Sequence, residues 1–432
     1  MNTTPSKQPL LTPVMRWFML AMVLANIASS MSGMLMPLYL TELGASIGQV
    51  GMVFTLTSIV ILVLQIFGGW VSDSIGRLRA IAIGSLGGII GFIALLLSPT
   101  WQWMLIALVI YQIPFALVGP SFGAFIAENS SEENRGKVYG LTGTIYQVTG
   151  VLGPPLGGFL AGTYGFKIML LGAAAFYVTA ACLRIWMAMT PRLASAPRPA
   201  AAPLASKPQA EASRPALTVA AFKNSMASML GMIFAGGILT WIFVTDGVCD
   251  VAFRLSGELQ PLYLEKVAGI SIQEIGLLGS ISTIVMIFVP MISGKLVDRY
   301  GERIPIVAGF VLVFGAFMVF LQAQNFFVFA ISWIIFGLGG GLLGPAYQSL
   351  ISKVVPANLL GTFSGVFDGS KGFISLPAPW LGAQLWERFS PSLPFQISAW
   401  ASLAVLPIIW FKFKLPKDAA PLPAPAVASA ES

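Results

Sequence analysis

About twelve stretches of roughly twenty or more mostly apolar residues follow one another along this chain, separated by short polar connections. A helix of about 20 residues crosses the roughly 30 Å hydrocarbon core of a bilayer, where a backbone must satisfy its own hydrogen bonds. The chain therefore has one broad fate, a bundle of membrane-crossing helices. Its charge content agrees: 9% of residues are charged and 56% hydrophobic, whereas a soluble domain carries about 25% charged residues. Glycine (45) and proline (29) are plentiful, as membrane helices allow when neighbouring helices re-satisfy the backbone.

The spans are read at 14–40, 47–71, 80–98, 102–127, 138–161, 166–188, 232–264, 271–297, 304–322, 326–351, 362–385 and 393–412. The first is too long for a secretory h-region and follows a polar start, so it is a membrane helix and not a cleaved signal. The connections alternate in character. Even-numbered ones carry Arg77, Arg79, Arg135, Lys137, the run from Arg192 to Lys223, Lys295, Arg299, Arg303 and Lys353. Odd-numbered ones hold only Lys167, Lys266 and Arg388. Apart from these three and the intrahelical Arg254 and Lys371, the charge census puts every basic residue on one side, with both termini. The positive-inside rule makes that side the cytoplasm of a multi-pass plasma-membrane or inner-membrane protein.

Several function classes fall away. The net charge of +7 is scattered over loops with no basic face or aromatic platform, so no nucleic acid is expected. There is no histidine, which excludes histidine metal sites and Ser-His-Asp catalysis. Cys182 and Cys249 lie inside apolar runs and read as small core residues. No phosphate-cradling loop is followed by Lys and Ser/Thr, so ATP-driven transport is not expected; with no nucleophile–base pair or metal cluster visible in the sequence, neither an enzyme nor a metal or other cofactor is expected. Residues 191–225 are rich in Pro, Ala and Ser and read as a disordered linker, with a partner-docking segment as the alternative. They separate a first bundle, 1–190, from a second, 226–417, which is followed by a disordered tail, 418–432.

The two halves repeat. Pro-Leu-Tyr-Leu occurs at 37–40 and at 261–264. The loop Gly69-Trp-Val-Ser-Asp73-Ser-Ile-Gly76-Arg77 returns as Gly294-Lys-Leu-Val-Asp298-Arg-Tyr-Gly301-Glu-Arg303. The same offset of about 225 maps Gly119-Pro120 onto Gly344-Pro345, Gly136 and Gly140 onto Gly361 and Gly365, and Pro154 and Gly157 onto Pro379 and Gly382. Six spans per half give both halves the same orientation. The expected fold is all-α: twelve transmembrane helices in two six-helix bundles, related by a pseudo-two-fold axis along the membrane normal, with a solute site between them.

These residues resemble the major facilitator superfamily, over essentially the whole chain outside the linker and tails. The G-x-x-x-D-x-x-G-R loop is similar to that family's most specific signature, and its degenerate copy stands where the family has one. Gly150-Val-Leu-Gly153-Pro154-Pro155-Leu-Gly157-Gly158 resembles the motif of the family's proton-coupled exporters, with spacing one residue shorter before Gly153. The resemblance implies a secondary transporter of a small molecule working by alternating access, and a monomer is expected. It also implies that Asp73 and Arg77 hold the halves together, with Glu128 as the expected carboxylate partner; ordinary turn and topology charges are the alternative. Glycine at 76 suits a turn that other residues resist.

The chemistry concentrates on the seventh span. Asp246, Asp250, Arg254 and Glu258 stand at i, i+4 spacing and share one face. Ionisable groups at that depth are costly, about 3 kcal/mol each, and usually mark a pathway. A self-neutralising ladder would absorb Asp250 and Glu258 on Arg254 but leave Asp246 with no basic partner on its own helix. Such a carboxylate suits binding a proton or a substrate cation. On the eleventh span, Asp368 and Lys371 stand i, i+3; Lys371 either neutralises a carboxylate of the seventh span, contacts an anionic substrate group, or pairs internally with Asp368. Asn26, Gln112, Tyr146, Gln147 and Gln348 are further cavity candidates, each equally suited to a helix–helix hydrogen bond. The leading expectation is proton-coupled antiport exporting an amphipathic or cationic compound. The alternative is a proton-coupled symporter importing a polar or zwitterionic nutrient.

Overall fold

The computed structural model describes residues 11–130, 132–190, 231, 237–355 and 360–413. The expected linker, 191–225, and the tail, 418–432, lie outside them. Among the described residues the regular structure is entirely helical: α1 (13–33), α2 (36–42), α3 (47–75), α4 (77–97), α5 (101–111), α6 (113–129), α7 (132–164) and α8 (166–189), then α9 (238–257), α10 (260–266), α11 (272–300), α12 (303–322), α13 (326–354), α14 (360–375), α15 (378–388), α16 (393–404) and α17 (406–412).

Five pairs join end to end, so these helices make twelve membrane-length rods. The joints fall just ahead of Pro37, Pro114, Pro261, Pro379 and Pro407. Proline lacks the amide hydrogen and crowds the carbonyl four residues back, so the helix restarts there. Among the described residues, nine helical stretches qualify as spans by length and composition alone. The other three rods are α7, α9–α10 and α14–α15, the glycine-rich or charged ones. An apolar surface suits all of this to a bilayer: Leu97, Trp103, Phe288, Phe327 and Trp400 are all more than half exposed.

The repeat is written into the backbone. Positive-φ glycines stand at Gly44 and Gly76, and again at Gly269 and Gly301. Ser46 and Gln49 form a reciprocal capping box at the start of α3, with Ser46 N donating to Gln49 Oε1 at 2.9 Å. Ser271 and Glu274 repeat it at the start of α11, at 3.0 Å. In α7, Gly157 lies against the Met31 carbonyl of α1, and in α15, Gly382 lies against the Leu255 carbonyl of α9.

Chain contacts divide the molecule into two compact units: residues 1–204 with 258–283, and residues 205–257 with 284–432. In the first, α1 packs on α7 and α8, and α4 on α5, α6 and α8. Its core gathers Phe18, Phe122, Phe125, Val138 and Met187, with Phe18 stacked 5.1 Å from Phe122. In the second, α12 packs on α13 and α16, and α9 on α14, α15 and α16. Its core gathers Phe243, Phe310, Phe363 and Phe367. The pairings of α1 and α4 in one unit are repeated by α9 and α12 in the other.

Candidate functional site

In the second unit, α9, α13 and α14 enclose a cavity of about 340 Å3. Asp246, Asp250, Asp368, Lys371 and Gln348 all line it. Lys371 of α14 donates to Asp246 of α9, and its Nζ lies 3.2 Å from Asp368 Oδ1. The same ammonium sits 4.7 Å above the Phe367 ring. Arg254 Nε donates to Asp250 Oδ2 at 3.0 Å, along α9. The group thus holds three carboxylates against two cations, one negative charge in excess. The Lys371 side chain is 16% exposed and that of Asp246 28%, half-buried positions where such pairing matters. Tyr347, also lining the cavity, has a buried hydroxyl without a hydrogen-bond partner among the described residues.

The charged series along this face is shorter than its spacing suggests. α9 ends at Gly257, because Pro261 forces a restart, so Glu258 stands in the joint and does not line the cavity. Arg254 contributes through Asp250 and is itself outside the lining.

The first unit has its own cavity, about 200 Å3, lined by Asn26, Tyr146, Tyr177 and Arg184 among others. Asn26 spends its Nδ2 on the Met22 carbonyl at 2.8 Å. Gln112, at the α5–α6 joint, and Gln147 line neither cavity. Arg184, which the charge census placed among the loop-side basic residues, is buried in α8 with 3% exposure. Its only sequence signal is that it interrupts the apolar run 166–188.

At the loop motifs, Gly76 and Gly301 take φ of 90° and 77°, the left-handed region that favours glycine. The side chains of Asp73 and Glu128 lie outside the described residues, as does the surrounding of Gly69. In the second copy, Gly294 has open space where a side chain would stand, and Asp298 is exposed. Arg303 donates to the Trp410 carbonyl at 3.0 Å and lies over its ring at 4.3 Å. The neighbouring Glu302, which the sequence did not single out, accepts from Lys353 and from Ser349 Oγ at 2.9 Å. Burial alone would raise its carboxyl, but these bonds outweigh burial and hold it below its ordinary value.

The α7 motif works by close approach. Gly153 and Gly157 admit α1 at Ser30 and Met31, and Gly158 meets Gly276 and the Ile272 carbonyl of α11. Pro154 and Pro155 remain inside the helix. Pro155 cannot donate to Val151 four residues back, and Ser280 Oγ supplies that bond at 2.6 Å.

The sequence profile described as Major Facilitator Superfamily matches residues 18–249 and again 247–431. A relative described as a multi-drug resistance efflux pump PmrA homolog from Lactococcus lactis is 23% identical over 81% of this chain and 86% of its own. Multidrug resistance protein MdtG of Salmonella paratyphi C is 25% identical over 84% and 86%. The crystal structure of nucleoside transporter NupG superposes with a TM-score of 0.71, covering 94% of this chain and all of that one at 14% identity, a likeness of fold.

Proposed function

Given that this chain belongs to the Major Facilitator Superfamily, a family of small-molecule transporters, we propose that it exports an amphipathic or cationic solute by proton-coupled antiport. The observation that carries this is the excess of acid in the α9–α14 group, with Lys371 bonded to Asp246. With every group ionised, one negative charge is left over. A proton or a cationic solute can cancel it, but both together would leave a positive excess. A half-buried charge is costly to carry through the apolar interior. Exclusive occupancy by proton or solute is the physical requirement of exchange. Asp246 is the coupling carboxylate in this account, and Lys371 is its counter-ion while the proton is absent.

The efflux names of the two bacterial relatives support outward movement. The one-sided distribution of loop charge supports a cytoplasmic placement of both termini. Asp73, Arg77 and Glu128 are proposed to fasten the halves in one state. The test uses proteoliposomes loaded with a pH-sensitive dye and challenged with a panel of lipophilic cations. Antiport requires protons to move against the solute. Protons moving with the solute would instead establish symport, the importer.

A further inference from the structure

We propose that Arg184 anchors a subsite for the anionic head of the transported solute, which makes a small amphipathic zwitterion the substrate class. Arg184 is 3% exposed in the interior of the first unit. Its Nη1 donates to Ser85 Oγ at 3.2 Å, and its Nη2 faces the Met22 sulfur at 3.2 Å. Ser85 already donates its own proton to the Ile81 carbonyl, and a thioether is a weak acceptor. Nε is buried and makes no well-aligned hydrogen bond, its one polar neighbour being the Tyr177 hydroxyl, which is likewise poorly aligned. A guanidinium has five donors in a fixed fork, so most of its bonding capacity is unspent.

No ion pair to Arg184 forms among the described residues. The elements packed around it present Met22 and Asn26 from α1, Ser85 from α4, Val118 from α6, Tyr146 from α7 and Tyr177 from α8. All of these are neutral. The described carboxylates of this unit, Glu42, Glu258, Glu265 and Glu274, belong to α2, to α10 and its approach, and to the first turn of α11. A buried cation without a counter-ion is among the costliest features a membrane helix can carry. Here it opens into a cavity of about 200 Å3 whose remaining wall includes Phe115 and Val118. A planar carboxylate matches the fork, taking two parallel bonds. The Tyr177 hydroxyl beside Nε adds a donor, and the apolar wall takes an aliphatic or aromatic body.

The inference rests on the chain's being a transporter, and narrows the proposed amphipathic solute to one with an acidic head besides its cationic group. It does not depend on direction or coupling ion. Its test is therefore a binding assay without any gradient, so that it can fail while antiport stands, or hold while antiport falls. Purified protein in phosphatidylcholine nanodiscs, which offer no anionic lipid as a competing source, is titrated with phenylacetate, benzenesulfonate and phenylphosphonate. Phenylacetamide and phenethylamine serve as the neutral and cationic counterparts. Thermal stabilisation by at least one anion, but not by phenylacetamide, is expected, and any stabilisation by phenethylamine should be the same in Arg184→Gln as in the wild type. Arg184→Gln should weaken that anion roughly tenfold to a hundredfold, the worth of a charge-assisted bond, and Arg184→Lys should retain part of the binding.

A second readout needs no ligand. Arg184→Met should raise the melting temperature of the empty protein, because it removes an uncompensated charge. Three results would overturn the assignment: no anion stabilises the wild type, the anion stabilises Arg184→Gln as well as the wild type, or Arg184→Met lowers the melting temperature as breaking an ion pair would.

Discussion

The crossing of α7 and α11 at Gly158 is the contact whose geometry is easiest to convert into a number. A Cβ added to Gly158 would stand 2.9 Å from both Gly276 Cα and the Ile272 carbonyl oxygen, and 3.2 Å from Gly276 N. All three atoms are backbone, so no side chain can swing aside. Ordinary contact begins near 3.4 Å, so the two helices must part by about 0.5 Å. Overpacking of this kind costs about 1–3 kcal/mol. The separation also stretches the Ser280 bond to the Val151 carbonyl, so we take about 2 kcal/mol for Gly158→Ala. For a unit of this size that lowers the melting temperature by roughly 4–8 °C.

Gly140→Ala, in the same helix, is the control. Nothing lies within 4 Å of a Cβ there, and replacing an unstrained helical glycine by alanine stabilises by up to about 1 kcal/mol. The two variants should therefore shift in opposite directions when melted in detergent and followed by intrinsic tryptophan fluorescence. Gly276→Ala fills the same gap, so its cost and that of Gly158→Ala should fall short of adding in the double variant. Equal melting temperatures for Gly158→Ala and Gly140→Ala would refute the close-approach account of the motif.

Further outcomes follow from the charged groups. Lys371→Met strands Asp246 beside Asp368 and should cost about 1–3 kcal/mol. Asp246→Asn in the same chain should recover at least about 1 kcal/mol of that, a coupling that a double-mutant cycle reads from melting curves; independent costs would dissolve the pair. Glu302→Gln should cost about 1 kcal/mol at neutral pH, the modest worth of a bond to the half-exposed Lys353. The folded Glu302 carboxyl binds its proton less tightly than the unfolded one, so its contribution is complete above the ordinary value of 4.5 and is lost as pH falls through the depressed value. Melting temperatures of wild type and Glu302→Gln should thus converge in acid, and a gap that persists there would assign Glu302 a packing role instead.

Much of the architecture was legible because a bilayer imposes simple rules. Span length and the offset between halves are one-dimensional signals, and the paired glycines, the capping boxes and the joints at Pro37 and Pro261 lie where that offset puts them, whereas those at Pro114, Pro379 and Pro407 have no counterpart. Prolines such as Pro37 and Pro261 are visible in sequence, but that they divide a rod into two helices depends on backbone geometry. The same restart leaves Glu258 off the α9 face, which i, i+4 counting could not register. Contacts between helices were less legible. Asp246 and Lys371 are 125 residues apart, and their meeting depends on how α9 and α14 are rotated. Spacing alone left Lys371 with three possible partners. Arg184 was missed for a different reason: a single basic residue near the end of an apolar run looks like a loop-flanking charge until its burial is known. Glu302 was hidden beside the louder Gly301 and Arg303.

The central claim is that Asp246 carries the proton that solute movement is coupled to. The most direct test compares two reactions of wild type and Asp246→Asn in proteoliposomes with one transported solute. Uphill movement driven by a pH gradient requires the carboxylate to gain and lose a proton, whereas solute-for-solute exchange at equal pH does not. The account predicts that Asp246→Asn abolishes the driven reaction and preserves exchange. Driven transport at the wild-type rate in Asp246→Asn would contradict it and remove Asp246 from the coupling path.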